Sequence, residues 1–243
     1  MRELIKTVID WIYPPRCIAC KNPLPLEDKH GRFLWLCNYC ENLFTPIEGS
    51  CCNICSVPVE SGVRKCASCS SQNFYFINNH SAYLYEDLVR DLLHEVKFRR
   101  RIHVAQGLGR LWASTIKHNL PKDAILVHLP MHPKKRRERG FDQAQVMAKA
   151  IAETTGHKLL PVLERVKDTP PQSGLHPHQR AENISNAFRI KPDYDVTGKV
   201  FVLVDDIYTT GASMNECAKM LTKNGAKKVF TKTLAIVMKK LDN

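Results

Sequence analysis

The sequence predicts an α/β protein in which a parallel sheet with helices on both faces follows a small cysteine-rich metal module. Three observations carry that expectation. Nine of the ten cysteines fall within the first 69 residues, mostly as CxxC pairs. Further along, apolar runs of strand length alternate with segments of helical period, the signature of strand–helix–strand units. The run Val200-Phe-Val-Leu-Val204 is apolar without a break, as a strand buried on both faces must be. It ends in Asp205, Asp206 and a small, hydroxyl-rich turn.

The cysteines read Cys17-x-x-Cys20, Cys37-x-x-Cys40, Cys51-Cys52-x-x-Cys55 and Cys66-x-x-Cys69. Two CxxC pairs joined by a short loop supply a tetrahedral thiolate site, because each pair turns two sulfurs inward. One structural zinc is therefore assigned to Cys17, Cys20, Cys37 and Cys40, and a second to Cys52, Cys55, Cys66 and Cys69. Interleaved, cross-braced pairing stays open at this level, as does exchange of Cys52 for Cys51. With every coordination position filled by sulfur, both metals would fix loops and take no part in catalysis. A module this small has too few apolar residues for its own core, so metal would supply on the order of 10 kcal/mol of folding free energy per site. Cys217 reads as a small buried apolar residue.

Disulfides are the competing use of so many cysteines. The N-terminus offers no secretion signal, because Arg2, Glu3, Lys6 and Asp10 interrupt its apolar residues. Leu4, Ile5, Val8, Ile9 and Ile12 instead fit a short amphipathic helix packed against the protein. No segment reaches the roughly 20 apolar residues of a membrane span. A cytoplasmic protein with thiols kept for metal is expected.

At 243 residues the chain is long enough for one α/β domain and a small addition. The double zinc ribbon is placed at 13–72 and the main domain at 79–243. The main domain opens with a strand at 79–85 and helices at 87–97 and 104–118. A strand at 124–129, a loop at 130–140 and a helix at 141–155 follow. After a long polar segment come the strand at 200–204, a helix at 213–224 and a last strand at 229–237. The formal charge is +12; eight thiolates on two Zn²⁺ would lower it to about +8. A balance this basic favours a polyanionic partner.

After the strand at 200–204, the turn places backbone N–H groups at a helix N-terminus, where hydrogen bonds and the helix dipole both favour a phosphate. Thr209, Thr210 and Ser213 add hydroxyls, Ala212 is small, and Gly211 lets the backbone approach closely. The acidic pair then lies one ribose away, suited to accepting hydrogen bonds from vicinal hydroxyls. The bland alternative is a buried strand leading to a capped helix. This stretch resembles the phosphoribosyl-pyrophosphate (PRPP) motif of type I phosphoribosyltransferases. The resemblance implies that Asp205 and Asp206 hold the ribose hydroxyls and that Thr209, Thr210, Gly211, Ala212 and Ser213 hold the 5′-phosphate. It also implies a type I phosphoribosyltransferase-like fold. Some purine-salvage members carry a third carboxylate where this chain has Thr209, so their base chemistry is not expected here.

Two basic clusters stand out. Lys97, Arg99, Arg100 and Arg101 form one; Lys134, Lys135, Arg136, Arg137 and Arg139 form the other. A charge run usually marks a solvated face. The second cluster, however, sits between a strand and a helix, where the phosphoribosyltransferase architecture would hold pyrophosphate. The polar, Pro-containing stretch 164–183 reads as a lid, with Thr169, Gln172, Arg180 and Asn183 as contacts to a bound anion. A flexible connector is the alternative.

The order of motifs goes further: zinc ribbons, then LLHEVKFRRR, PMHPKKRRERGFDQAQ, TPPQSGLHPHQRAENISNAF and VLVDDIYTTGAS. The whole chain resembles the ComF family of competence proteins. One departure is Asp142, where a typical member has Asn. The resemblance implies a protein that handles incoming single-stranded DNA in the cytosol during natural transformation, with other competence or DNA-translocation proteins as partners. Lys97, Arg99, Arg100 and Arg101 would then contact DNA phosphates. Of the aromatic candidates for base stacking, Phe98 and Phe141 read equally well as core, so Tyr208 is the one expected in solvent. The alternative is a catalytically active phosphoribosyltransferase using PRPP and Mg²⁺, for which no acceptor pocket is evident.

Overall fold

The structure is a computed structural model that describes residues 14–25, 34–168 and 184–238. The amphipathic stretch at 4–12 and the lid residues Thr169, Gln172, Arg180 and Asn183 lie outside the described residues. In the main domain, β1 (Asn79–Leu84) leads into α1 (Asp87–Phe98) and α2 (Ile102–Ile116). Next come β2 (Ile125–His128), α3 (Pro133–Arg139) and α4 (Gln143–Thr155). The chain then forms β3 (Leu163–Arg165), β4 (Phe188–Ile190), β5 (Val200–Tyr208), α5 (Ala212–Lys223) and β6 (Lys228–Ile236). The sheet order is β1-β6-β5-β2, and each neighbouring pair is parallel. Two strands, β3 and β4, pair antiparallel away from it.

Alternation along β5 explains why its sequence is apolar throughout. Val202 and Val204 join one buried cluster with Leu93 of α1, Leu108 and Trp112 of α2, and Met147 and Ile151 of α4. Phe201 and Leu203 face the opposite way and join Cys217 and Leu221 of α5 with Leu163 and Phe188 of the β3–β4 pair. Each such side chain contributes about 1.5–3 kcal/mol when fully buried. Cys217 is buried among them, as expected from its sequence context.

The zinc ribbons are integral to both layers. Cys17, Ile18, Leu24, Leu36, Cys40 and Phe44 belong to the first cluster. Cys52, Ile54, Cys69 and Phe76 belong to the second. The two ribbons therefore sit on opposite faces of the sheet. Between them the chain runs beside β1: the Ile47 N–H donates to the Ala82 carbonyl at 3.0 Å, and the Leu84 N–H to the Thr45 carbonyl at 2.9 Å. This covers what would be an open sheet edge. The first ribbon also reaches α2 at Gly107, where a Cβ would come within 2.8 Å of the Trp35 ring and 3.0 Å of Ile18.

Two stretches differ from expectation. The basic run at 133–139 is a helix, not a loop. Pro133 starts it, the His132 ring nitrogen accepts from the Lys134 N–H, and Gly140 ends it at φ 90°. Proline at the first position and left-handed glycine after the last are the usual stops, and cations near the C-terminus suit the dipole. Strand β5 continues four residues past Val204, through the acidic pair to Tyr208. Its alternation breaks there: Ile207 packs with the first cluster and Tyr208 with the second. Tyr208 is consequently 3% exposed, which corrects its placement as a solvent-facing, DNA-stacking residue.

Candidate functional site

Each ribbon brings four sulfurs together in consecutive pairing. Cys17, Cys20, Cys37 and Cys40 form one group and Cys52, Cys55, Cys66 and Cys69 the other, with all sulfurs of a group within 4.8 Å of one another. The Cys20–Cys37 and Cys55–Cys66 separations are 3.8 and 3.7 Å. A tetrahedron with Zn–S bonds of about 2.3 Å has edges of about 3.8 Å, so the residues present fit zinc. The two ribbons repeat one knuckle. The N–H four residues after the first ligand donates back to its carbonyl, in Lys21 to Cys17 and in Ser56 to Cys52. Both Lys21 and Ser56 are left-handed. Burial would raise the Cys17 and Cys52 thiols, but hydrogen bonds from neighbouring backbone groups bring each down to about 7. Cys51 stands outside the group, its sulfur directed at the Glu48 and Gly49 carbonyls.

At the carboxyl end of β5, Asp205, Thr209, Gly211, Ala212 and Ser213 line a concavity of about 100 Å³. Gly211 adopts φ 73°, and the Thr210 hydroxyl accepts from the Ala212 N–H at 3.4 Å at the start of α5. A Cβ on Gly211 would collide with the Tyr208 hydroxyl, so the buried tyrosine forms the back wall of the turn. Burial first, and then the thiols of the second ribbon, keep the Tyr208 phenol protonated.

The two aspartates part company. Asp206 is buried, with Lys97 Nζ at 2.8 Å and the Gln143 amide donating to the same oxygen at 3.3 Å. Burial alone would raise its pKa, but Lys97 and these hydrogen bonds take it below the usual carboxylate range. Asp205 is half-buried and faces the concavity. Burial and the adjacent Asp206 charge push its pKa well up. Lys97, read from the sequence as a DNA-phosphate contact, is thus turned inward as the counter-ion of Asp206, which corrects that assignment. Residues of α1 and α4 flank the acidic pair, so Lys97 reaches the nearest desolvated carboxylate.

From Asp206 a chain of contacts leads outward. Gln143 also accepts from Arg139 Nη1 at the end of α3. Arg100 Nη2 donates to the Glu138 carbonyl at 2.6 Å, joining the first basic cluster to α3. Arg136 and Arg137 are exposed. Lys134 pairs with Asp168 at 3.4 Å, while burial lowers the Lys135 pKa. Arg99 and Arg101 share Glu95 at 3.5 and 3.1 Å. Such exposed pairs are worth little and yield readily to another anion.

The structure gives Phe98 and Asp142 places the sequence left open, and adds Arg165, which the sequence did not single out. Phe98 is 74% exposed beside these cations, where Tyr208 had been expected. The signal was available: α1 buries Val89, Leu92, Leu93 and Val96, and helical period puts Phe98 on the opposite side. Arg165 of β3 lies over the Phe188 ring at 5.5 Å, with the charges of Asp205 and Asp168 acting on it. A three-residue strand carries no readable period. Asp142 is buried and accepts from the Met131 N–H at 2.8 Å and the Gln145 N–H at 3.2 Å. It thereby ties the turn after β2 to the start of α4.

A thiolate-ribbon module packed on both faces of a parallel sheet, with a phosphate-type turn after β5, defines a zinc-ribbon protein of phosphoribosyltransferase fold. Family models agree: a double zinc ribbon domain matches residues 8–70 and a phosphoribosyl transferase domain matches residues 138–242. The chain is 29% identical to the DNA utilization protein YhgH of Salmonella typhi, over 88% of this chain and 93% of that protein. It is 26% identical to competence protein ComFC of Bacillus subtilis, covering 86% and 89%. Against competence protein F of Haemophilus influenzae the identity is 25%, covering 88% and 93%. Over most of its length the chain is thus similar to proteins named for competence and DNA utilization. Among the described residues, no helix is long and apolar enough to cross a membrane.

Proposed function

We propose that the protein binds single-stranded DNA in the cytoplasm during DNA uptake or utilisation, beside the competence or translocation proteins that deliver the strand. A pentose phosphate occupies the Asp205–Ser213 turn, and neighbouring phosphates lie along Arg99, Arg100 and α3. One observation supports this reading: Arg100 bonds to Glu138 of α3, and Arg139–Gln143–Asp206–Lys97 links α3 through buried contacts to the acidic pair, so both basic clusters are tied to the end of β5. The names of the relatives, competence and DNA utilization, point the same way. PRPP, carried with Mg²⁺, fits the same turn and competes for it. Lys97 pairs with Asp206, while Asp205 lines the concavity and is the carboxylate placed to meet a sugar hydroxyl.

Fluorescence anisotropy of a labelled single-stranded oligonucleotide, titrated at several salt concentrations with and without PRPP–Mg²⁺, tests this directly. Neutralising about four to six phosphates gives a log–log salt slope of about −3 to −4. Displacement by PRPP is expected. Absence of binding at low salt would overturn the reading and make PRPP turnover the next assay.

A further inference from the structure

Three aromatic rings follow one another from the end of β1 along α1: Tyr85, partly buried against the first cluster, then the exposed His94 and Phe98. Tyr85, at the end of β1, has its hydroxyl 3.1 Å from His94 Nε2, and the two ring centroids are 6.5 Å apart. His94 is exposed and meets Phe98 edge-on, with centroids 5.4 Å apart. The row starts close to the acidic pair: burial raises the Tyr85 pKa, and the charges of Lys97 and Asp206 both act on its phenol. It ends where Arg99 and Arg100 begin, and Arg100 is joined to α3. Nothing in the packing of α1 calls for Phe98, because the buried stripe of Val89, Leu92, Leu93 and Val96 is complete without it. A large ring held in water among cations does nothing for folding.

We propose that Tyr85, His94 and Phe98 form a base-stacking platform for single-stranded DNA, leading from the acidic pair to the basic surface. The proposal rests on the single-stranded DNA reading above and assigns the bases their place in it. Every nucleobase has a π face, so a row of rings grips a single strand whatever its sequence. Arg99, Arg100, Arg136 and Arg137 meanwhile meet the phosphates. A duplex keeps its bases stacked on one another and cannot use the row. The acidic Asp91 on the same helix lies 3.5 Å from Arg90.

The test uses the full-length, zinc-loaded protein and two labelled strands of equal length and phosphate number, oligothymidylate and its abasic counterpart. Wild type should prefer the base-bearing strand. Phe98→Ala should weaken that strand about tenfold, leave the abasic strand unchanged, and keep the wild-type salt slope. Phe98→Trp should restore the affinity. Because the abasic strand reports on phosphate binding, it also shows that each variant is folded. If Phe98→Ala binds oligothymidylate as wild type does, or wild type binds both strands equally, the platform is overturned while the DNA reading stands. If wild type binds neither strand, both fall together.

Discussion

At Asp206 a carboxylate gives up its water and gains Lys97 at 2.8 Å; at Asp205, one residue earlier, burial and the Asp206 charge outweigh the pull of Lys97. The pleat of β5 separates them, since successive side chains point to opposite faces. The consequence for stability has opposite signs. Asp206 has a depressed folded pKa, so its contribution is present above the unfolded value of about 3.9 and is lost as pH falls through the folded one. Asp205 has a raised pKa, so it penalises the fold increasingly as pH climbs above about 3.9. Asp206→Asn should therefore destabilise at neutral pH by about 3 kcal/mol, because it strands Lys97. In a chain this size that is a Tm drop of roughly 6–12 °C. Asp205→Asn should raise the Tm, and its advantage should vanish in acid. Thermal melts of both variants across pH check this; equal losses for the two would contradict it.

The element α3 packs five cations into one short helix, and its assignment shows where sequence reading stops. Long periodic segments such as α1, α4 and β5 announced themselves, as did the turn after β5, because pattern and chemistry coincide there. Charge density and flanking prolines made 130–140 read as a loop, whereas Pro133 and Gly140 bound a helix. The β3–β4 pair went unread because each strand is three residues long and its partner lies far along the chain. Exchanging Tyr208 for Phe98 as the exposed aromatic turned on where β5 ends, a boundary set by packing against the second ribbon. A helical α3 leaves both Arg136 and Arg137 exposed. Replacing both with Ala should lower the magnitude of the log–log salt slope for single-stranded DNA by about 1.4, with little change in Tm. An unchanged slope would show that the phosphates run elsewhere.

In the molecule as a whole, each ribbon completes one face of the sheet. Metal binding supplies on the order of 10 kcal/mol per site, comparable to the entire stability of a typical domain, about 5–15 kcal/mol. Stripping the second zinc, or making Cys52→Ser, should therefore unfold more than a loop, because Cys52 and Cys69 share a cluster with Phe201, Tyr208 and Leu221. Far-UV circular dichroism should lose its cooperative transition after chelation, in step with tryptophan fluorescence. An unaltered transition by circular dichroism would mean that the sheet stands without its ribbons.

Ribbons straddling the sheet also impose an order on biosynthesis. Cys69 leaves the ribosome well before β5, α5 and β6, the elements that bury the second ribbon. At about 5–20 residues per second, the nascent second ribbon waits on the order of ten seconds or more for these apolar partners. During that interval metal is what can hold the thiols of the second ribbon, so early zinc capture would protect them. A cell short of zinc would meet this protein first as a failure of synthesis, with exposed thiols on an unfinished chain.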